Sequence, residues 1–169
     1  MQLRNSVSLL AFVARCALSA SLAYLLALKI GLSHPVWAPM SALIVSQERL
    51  ADTRESLWGR LLGTVLGMGA AVLVDGVARV MAAPMALQIA VTVALCAPMS
   101  RKRPALRVSM WTGPIVLLTP AAHTSVAYVA LLRGAEVMLG SLLGALLHLA
   151  FDGLSLRFLR LVRRPRHLH

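Results

Sequence analysis

The segment Leu62-Gly63-Thr64-Val65-Leu66-Gly67 recurs 77 residues later as Leu139-Gly140-Ser141-Leu142-Leu143-Gly144. The same shift carries Asp75-Gly76 onto Asp152-Gly153. Short matches arise by chance, but these recur in the same order. Two related apolar halves in one chain are typical of membrane transporters.

The segments before these glycine blocks also correspond, at a shift of 74 to 75 residues. His34-Pro35-Val36-Trp37-Ala38-Pro39 precedes the first block, and Ser109-Met110-Trp111-Thr112-Gly113-Pro114 precedes the second. Each half of the chain therefore contains a segment with Trp and Pro followed by a glycine-spaced segment.

The composition indicates a membrane protein. Of its 169 residues, 59% are hydrophobic and 14% are charged, and the mean hydropathy is +0.77. Soluble domains carry about 25% charged residues, and a soluble chain this apolar would expose large sticky patches. The apolar runs are rich in Leu and Ala and lack period-two alternation, which predicts an all-α membrane protein.

Six transmembrane helices are predicted, from the length of about 20 apolar residues that a span requires. The second and fifth are short and are interrupted by Pro or Gly. The predicted ranges are about 8–30, 35–47, 56–75, 81–99, 107–121 and 132–152. Because each repeat holds three helices, the second repeat must be inverted relative to the first.

The predicted domain is a six-helix unit over residues 1–153, with repeat one at about 8–76 and repeat two at about 81–153. A basic cytoplasmic tail, 154–169, follows, and we expect it to lie against anionic lipids of the inner leaflet.

The net charge of +11 follows the positive-inside rule instead of forming a basic face for nucleic acid. With the N-terminus inside, the inner side collects most of the cations, which predicts N-in and C-in. These inner cations are Arg4, Arg49, Arg54, Arg60, Arg101, Lys102, Arg103, Arg107, Arg157, Arg160, Arg163, Arg164 and Arg166.

Short, Pro- or Gly-broken segments at equivalent positions of two repeats are the best sequence indicator of a transporter's binding site. Broken helices free backbone groups that need protein, water or substrate as partners in a bilayer. The Trp rings stack on an aromatic ligand or, alternatively, anchor at the headgroups. The candidate substrate-binding residues of these segments are Trp37, Pro39, Ser41, Trp111, Thr112 and Pro114.

Intramembrane cations are the second set of candidates. An ionised group at membrane depth costs at least about 2.5 kcal/mol, so Arg15 and Arg60 are expected to face a partner or a water-filled anion path. Arg133 is a weaker candidate for the same role. The alternative is that these side chains reach the interface or pair with a carboxylate, and the i, i+3 spacing favours a pair of Arg133 with Glu136.

The glycines form one small-residue stripe on the third helix and one on the sixth, which allows close backbone approach. We expect a packing role, with the stripes meeting each other or a second copy of the chain. The stripe residues are Gly59, Gly63, Gly67, Gly140 and Gly144.

Enzyme chemistry has no sequence support. The chain has no metal-ligand spacing, nucleophile elbow, phosphate loop or dinucleotide motif. We therefore expect no enzymatic activity, no metal and no bound cofactor. If protons drive transport, Glu48, Glu55 and Glu136 are the candidate carriers.

The run from Pro35 through Trp37, Pro39 and Gln47 to Arg60-Leu61-Leu62-Gly63-Thr64-Val65-Leu66-Gly67 resembles the fusaric acid resistance and aromatic acid exporter family. The resemblance extends over residues 8–152. It implies a bundle in the bacterial inner membrane that exports aromatic carboxylic acids. The family is also similar to dimeric plant anion channels, which favours Arg15 and Arg60 as path residues and a homodimer. Larger relatives carry a cytoplasmic domain, whereas this chain has one membrane unit.

The leading hypothesis is an inner-membrane exporter of organic anions, with aromatic carboxylic acids as the leading substrates. The site lies at the second and fifth helices and an arginine-lined path. The alternatives are a channel-like anion pore and a membrane scaffold or accessory subunit that transports nothing itself.

Overall fold

The computed structural model describes residues 2–119 and 124–162, with side chains described over 9–119 and 124–154. Within those residues all regular structure is helical, so the predicted all-α fold with six helices is confirmed. The helices are α1 (Gln2–Ile30), α2 (Trp37–Val45), α3 (Leu50–Met81), α4 (Met85–Lys102), α5 (Val108–Leu118) and α6 (Val126–Val162), with a 3-10 turn over Pro104–Arg107.

Among the described residues, three segments are long and apolar enough to cross a membrane: Leu9–Ile30, Leu50–Met81 and Val126–Leu154. Only 17%, 33% and 28% of their most apolar windows is buried within the bundle, so most of that surface is free to face lipid. α4 has 18 residues and is more polar because Arg101 and Lys102 occupy its last turn. Six spans therefore remain a prediction.

The long helices exceed the predicted spans. α3 has 32 residues, about 48 Å at about 1.5 Å per residue, against a hydrocarbon thickness of about 30 Å. α1 ends at Ile30, and Gly31 follows it with a φ of 80°, which suits a residue without a Cβ. α6 continues through the predicted boundary at 154 and ends at Val162.

Several predicted cytoplasmic cations lie outside the residues whose side chains are described. They are Arg4, Arg157, Arg160, Arg163, Arg164 and Arg166.

Each short helix packs mainly against two longer helices and makes a smaller contact with a third. α2 lies against α1 and α6, α5 lies against α3 and α4, and α3 packs on α6. Alanines let α1 and α2 approach closely, with Ala23, Ala27, Ala38 and Ala42 all fully buried. The packing of one half thus mirrors that of the other.

The short helices pack on the glycine stripes of the long helices. A Cβ on Gly140 would overlap the Ala38 carbonyl oxygen of α2, and one on Gly67 would lie 2.7 Å from the Ser109 oxygen of α5. Gly59, Gly63 and Gly144 are equally crowded. The atoms nearest to the stripe glycines belong to the short helix of the opposite half, or to the 3-10 turn before it, and not to the other stripe.

Candidate functional site

α2 ends inside an apolar bundle. Its nine residues span about 14 Å, roughly half of the hydrocarbon thickness. The last carbonyls of a helix have no partner within it, and in a membrane they need protein or water. Here side chains satisfy one of them, because the Ile44 carbonyl accepts hydrogen bonds from Gln47 Nε2 at 2.7 Å and Ser56 Oγ at 3.0 Å. The ends of α2 are therefore polar points in an apolar surrounding.

Arg15 of α1 lies at the C-terminal end of α2. Its guanidinium donates a hydrogen bond to the Gln47 carbonyl, and its Cζ lies 5.3 Å from the centre of the Phe12 ring. The residue is 5% exposed. A backbone carbonyl carries only a partial negative charge, so this contact solvates the cation without neutralising it.

Arg60 of α3 lies beside the middle of α2. Its guanidinium donates a hydrogen bond to the Ser41 hydroxyl at 3.2 Å, and the residue is 5% exposed. Over the part of the chain whose side chains are described, neither Arg60 nor Arg15 forms an ion pair with a carboxylate. Both are therefore buried cations without a counter-ion in this region.

Arg133 of α6 lies at the N-terminal end of α2. Its guanidinium stacks on the Trp37 ring, 3.6 Å from the ring centre, and its Nη1 lies 3.7 Å from an oxygen of Glu136. The other Glu136 oxygen accepts a hydrogen bond from the His34 N–H at 2.9 Å. Arg133 and Glu136 thus form the ion pair that their i, i+3 spacing favours. Both residues are buried beside α2, so they belong to the candidate site.

The guanidinium groups of Arg15, Arg60 and Arg133 thus lie along α2, at its two ends and its middle. We call these three residues the arginine line. The Nε atom of each has no hydrogen-bond partner among the described residues, and neither has Nη1 of Arg133. Glu136 balances the charge of Arg133, whereas Arg15 and Arg60 have no carboxylate partner among the described side chains. The unused donors and the two unbalanced charges make the surroundings of α2 a place where an anion would be stabilised.

A polar connection continues from the Arg15 end of α2 to α6. The Gln47 N–H donates a hydrogen bond to the Thr53 hydroxyl at 3.1 Å. That hydroxyl lies 2.6 Å from Nδ1 of His148, which is buried. His148 is therefore joined to Arg15 through Thr53 and Gln47.

A cavity of about 190 Å³ opens beside Arg133 and Glu136. Its other polar walls are Ser33 and His34 before α2, Thr119 and Thr124 before α6, and Tyr128 in the first turn of α6. Pockets for drug-sized ligands measure about 300–1,000 Å³, so this one suits a small ligand. An anion in the cavity would lie against the Arg133 end of the arginine line.

The structure separates the predicted site residues into two groups. Trp37 and Ser41 of α2 contact Arg133 and Arg60, and Pro39 is half-buried in the first turn of the same helix. Trp111, Thr112 and Pro114 lie on α5, which makes no contact with α2. The two short helices therefore do not touch each other directly, and a site shared by both stays a prediction.

Among the described residues, the predicted site residues of α5 are not gathered at a cavity. The Thr112 hydroxyl donates a hydrogen bond to the Val108 carbonyl of its own helix at 2.9 Å, and Trp111 is 49% exposed. Shifting Arg60 by 77 residues gives Val137, so the second half has no counterpart of this cation. Buried charge is concentrated at α2.

The sequence alone ranked Arg133 below Arg15 and Arg60 as a path residue. It gave no role in the site to Gln47 or Thr53. Arg133 had a visible sequence signal, because it lies in an apolar run that holds one other charged residue, Glu136. Gln47 and Thr53 gave no such signal, since polar residues near a helix start are ordinary. Only the packing of α1 and α6 around α2 makes them part of a network.

Long, lipid-compatible helices around buried cations define an α-helical membrane protein. The chain belongs to the fusaric acid resistance protein-like family, whose sequence model matches residues 19–147, so the resemblance seen in the sequence is confirmed. No curated protein and no solved structure matches the chain.

Proposed function

We propose that this chain is an exporter of organic anions, with aromatic carboxylic acids as the leading substrates. One observation carries the proposal: three buried arginines line α2 with unused hydrogen-bond donors. Buried charge is expensive in a membrane protein, and where it occurs it marks substrate or ion pathways. The family membership agrees with transport and gives no support to an enzyme.

The Arg133 contacts suggest the substrate class. This guanidinium binds an aromatic face, that of Trp37, and a carboxylate, that of Glu136. An aromatic carboxylic acid carries both groups, so it offers the interactions that the protein itself uses here. In our proposal a substrate carboxylate takes the unused donors of Arg133 and passes along α2 to Arg60 and Arg15.

Two inverted repeats of three spanning helices provide the frame for this path. The contacts support such a symmetry, because exchanging α1, α2 and α3 for α4, α5 and α6 converts each packed pair of helices into another packed pair. In the proposed topology both termini are cytoplasmic and the membrane is the bacterial inner membrane. A homodimer completes the transporter, since one bundle encloses little volume.

Flux through the purified protein tests this function. Proteoliposomes would be given radiolabelled 4-hydroxybenzoate at pH 7.5, where the acid is ionised, with and without a pH gradient. Empty liposomes and labelled glucose serve as controls for leakage. We expect uptake of the acid and no uptake of glucose.

The outcomes separate the alternative functions. Accumulation driven by the gradient indicates a coupled exporter, and equilibration without accumulation indicates the channel-like anion pore. Absence of flux for 4-hydroxybenzoate, benzoate and acetate, with folded protein in the liposomes, contradicts transport by this chain alone. It would favour the scaffold or accessory-subunit function.

A further inference from the structure

A second, larger groove lies away from the arginine line. Its volume is about 530 Å³, and it runs between the first turns of α3 and the connection from α4 to α5. Its walls meet at Gly59, where an added Cβ would lie 2.6 Å from the Ala105 carbonyl oxygen. The absence of a side chain at this position lets the walls meet at the base of the groove.

The walls carry an excess of positive charge. Arg54 comes from α3, Lys102 from α4 and Arg103 from the connection, while Glu55 is the one carboxylate in the lining. All three cations are exposed, and within the described part of the chain none of them forms an ion pair. Convergent, unpaired cations from different helices favour a phosphate group, which accepts several charge-assisted hydrogen bonds.

Two apolar side chains extend the groove along the outer surface of the bundle. Trp58 is 55% exposed and Leu62 is 48% exposed, one turn further into α3. Exposed tryptophan beside cations is typical of the headgroup level of a membrane. The groove therefore joins a site for phosphate to a surface for an acyl chain, a combination that fits a lipid and not a soluble phosphate.

We propose that this groove binds the headgroup of an anionic phospholipid. Its phosphodiester lies among Arg54, Lys102 and Arg103, and its acyl chain packs on Trp58 and Leu62. A lipid bound there links the start of α3 to the α4–α5 connection, so it also braces the helix that carries Arg60.

Native mass spectrometry in a neutral detergent tests the proposal with phosphatidylglycerol and phosphatidylcholine. The double variant Arg54→Gln/Arg103→Gln removes two cations of the groove. Each cation near an anionic headgroup contributes about fivefold in affinity, so phosphatidylglycerol binding should weaken about 25-fold. The matched control is Arg49→Gln/Arg101→Gln, which removes two exposed cations that do not line the groove. We expect it to change binding less than threefold.

A second measurement begins with the wild-type chain, so its first result does not depend on how any variant folds. Brominated phosphatidylglycerol should quench tryptophan fluorescence more than brominated phosphatidylcholine. The difference should vanish in Trp58→Phe, which leaves the other two tryptophans in place.

Three results would overturn the proposal. The first is equal weakening in the groove variant and its control, which indicates surface potential alone. The second is quenching without preference for the anionic lipid. The third is competition by glycerol phosphate at concentrations similar to those of phosphatidylglycerol, which indicates a soluble phosphate ligand.

Discussion

At the scale of single residues, Arg15 and Arg60 contribute little to the stability of the fold. Each is buried, and each has one hydrogen bond to a neutral oxygen. Taking a charge out of water costs several kcal/mol, and neither residue has a carboxylate partner among the described side chains to offset that cost. A buried cation with little structural benefit is better explained by a ligand that needs its charge.

Arg60→Gln is therefore expected to separate transport from stability. Losing a charge-assisted hydrogen bond costs about 1.5–3 kcal/mol, so 4-hydroxybenzoate flux should fall about 10- to 100-fold. The midpoint of thermal unfolding should stay the same or rise. Arg15→Gln should behave in the same way.

Arg79→Gln is the matched control. Arg79 is exposed and pairs with Asp75 at 2.8 Å, far along α3 from the arginine line, and we expect unchanged flux. Undiminished flux in both Arg60→Gln and Arg15→Gln would remove these residues from the path. A large loss of stability in both would instead indicate a structural role.

At the scale of helices, the short elements are held by the long ones. α2 and α5 have 9 and 11 residues, too few for stable isolated helices, so packing must stabilise them. The glycine stripes of α6 and α3 supply that packing because they bring backbones into contact. Holding α2 in this way also fixes where Trp37 and Ser41 meet their arginines.

Gly140→Ala should consequently destabilise the protein. The new methyl group would overlap the Ala38 carbonyl oxygen, and such overpacking costs about 1–3 kcal/mol. The free energy of unfolding can be measured by titration with SDS from mild detergent.

Gly69→Ala provides the comparison on α3. Nothing lies within 4 Å of a Cβ at Gly69, so the same substitution should leave the stability unchanged or slightly raised. Equal stability of the two variants would mean that the stripe on α6 does not hold α2 closely.

At the scale of the whole molecule, the membrane topology decides which way the arginine line runs. The positive-inside pattern predicts that Arg103 lies inside and that the α3–α4 connection, with Ala83, lies outside. α4 must then cross the membrane although its last turn is basic.

Labelling of introduced cysteines tests this topology in a variant that lacks Cys16 and Cys96. In intact cells an impermeant thiol reagent should label Ala83→Cys. Arg103→Cys should react only after the membrane is permeabilised. Labelling of both from the same side would mean that α4 does not cross, and would exclude the inverted repeats.

The sequence by itself determined the helical membrane class, the family, the six helices and the shortness of the second and fifth. These four properties follow from composition, hydrophobic periodicity and the positions of Pro and Gly, all of which are visible within a single stretch of the chain. It also indicated Arg15 and Arg60, since a charge in an apolar run is visible without a structure.

Only the tertiary structure decided that α2 and α5 lie apart and that Arg15, Arg60 and Arg133 share one helix as their neighbour. The physical reason is that these arginines come from α1, α3 and α6. Which side chains meet depends on how three helices pack around α2, and no local pattern encodes that packing.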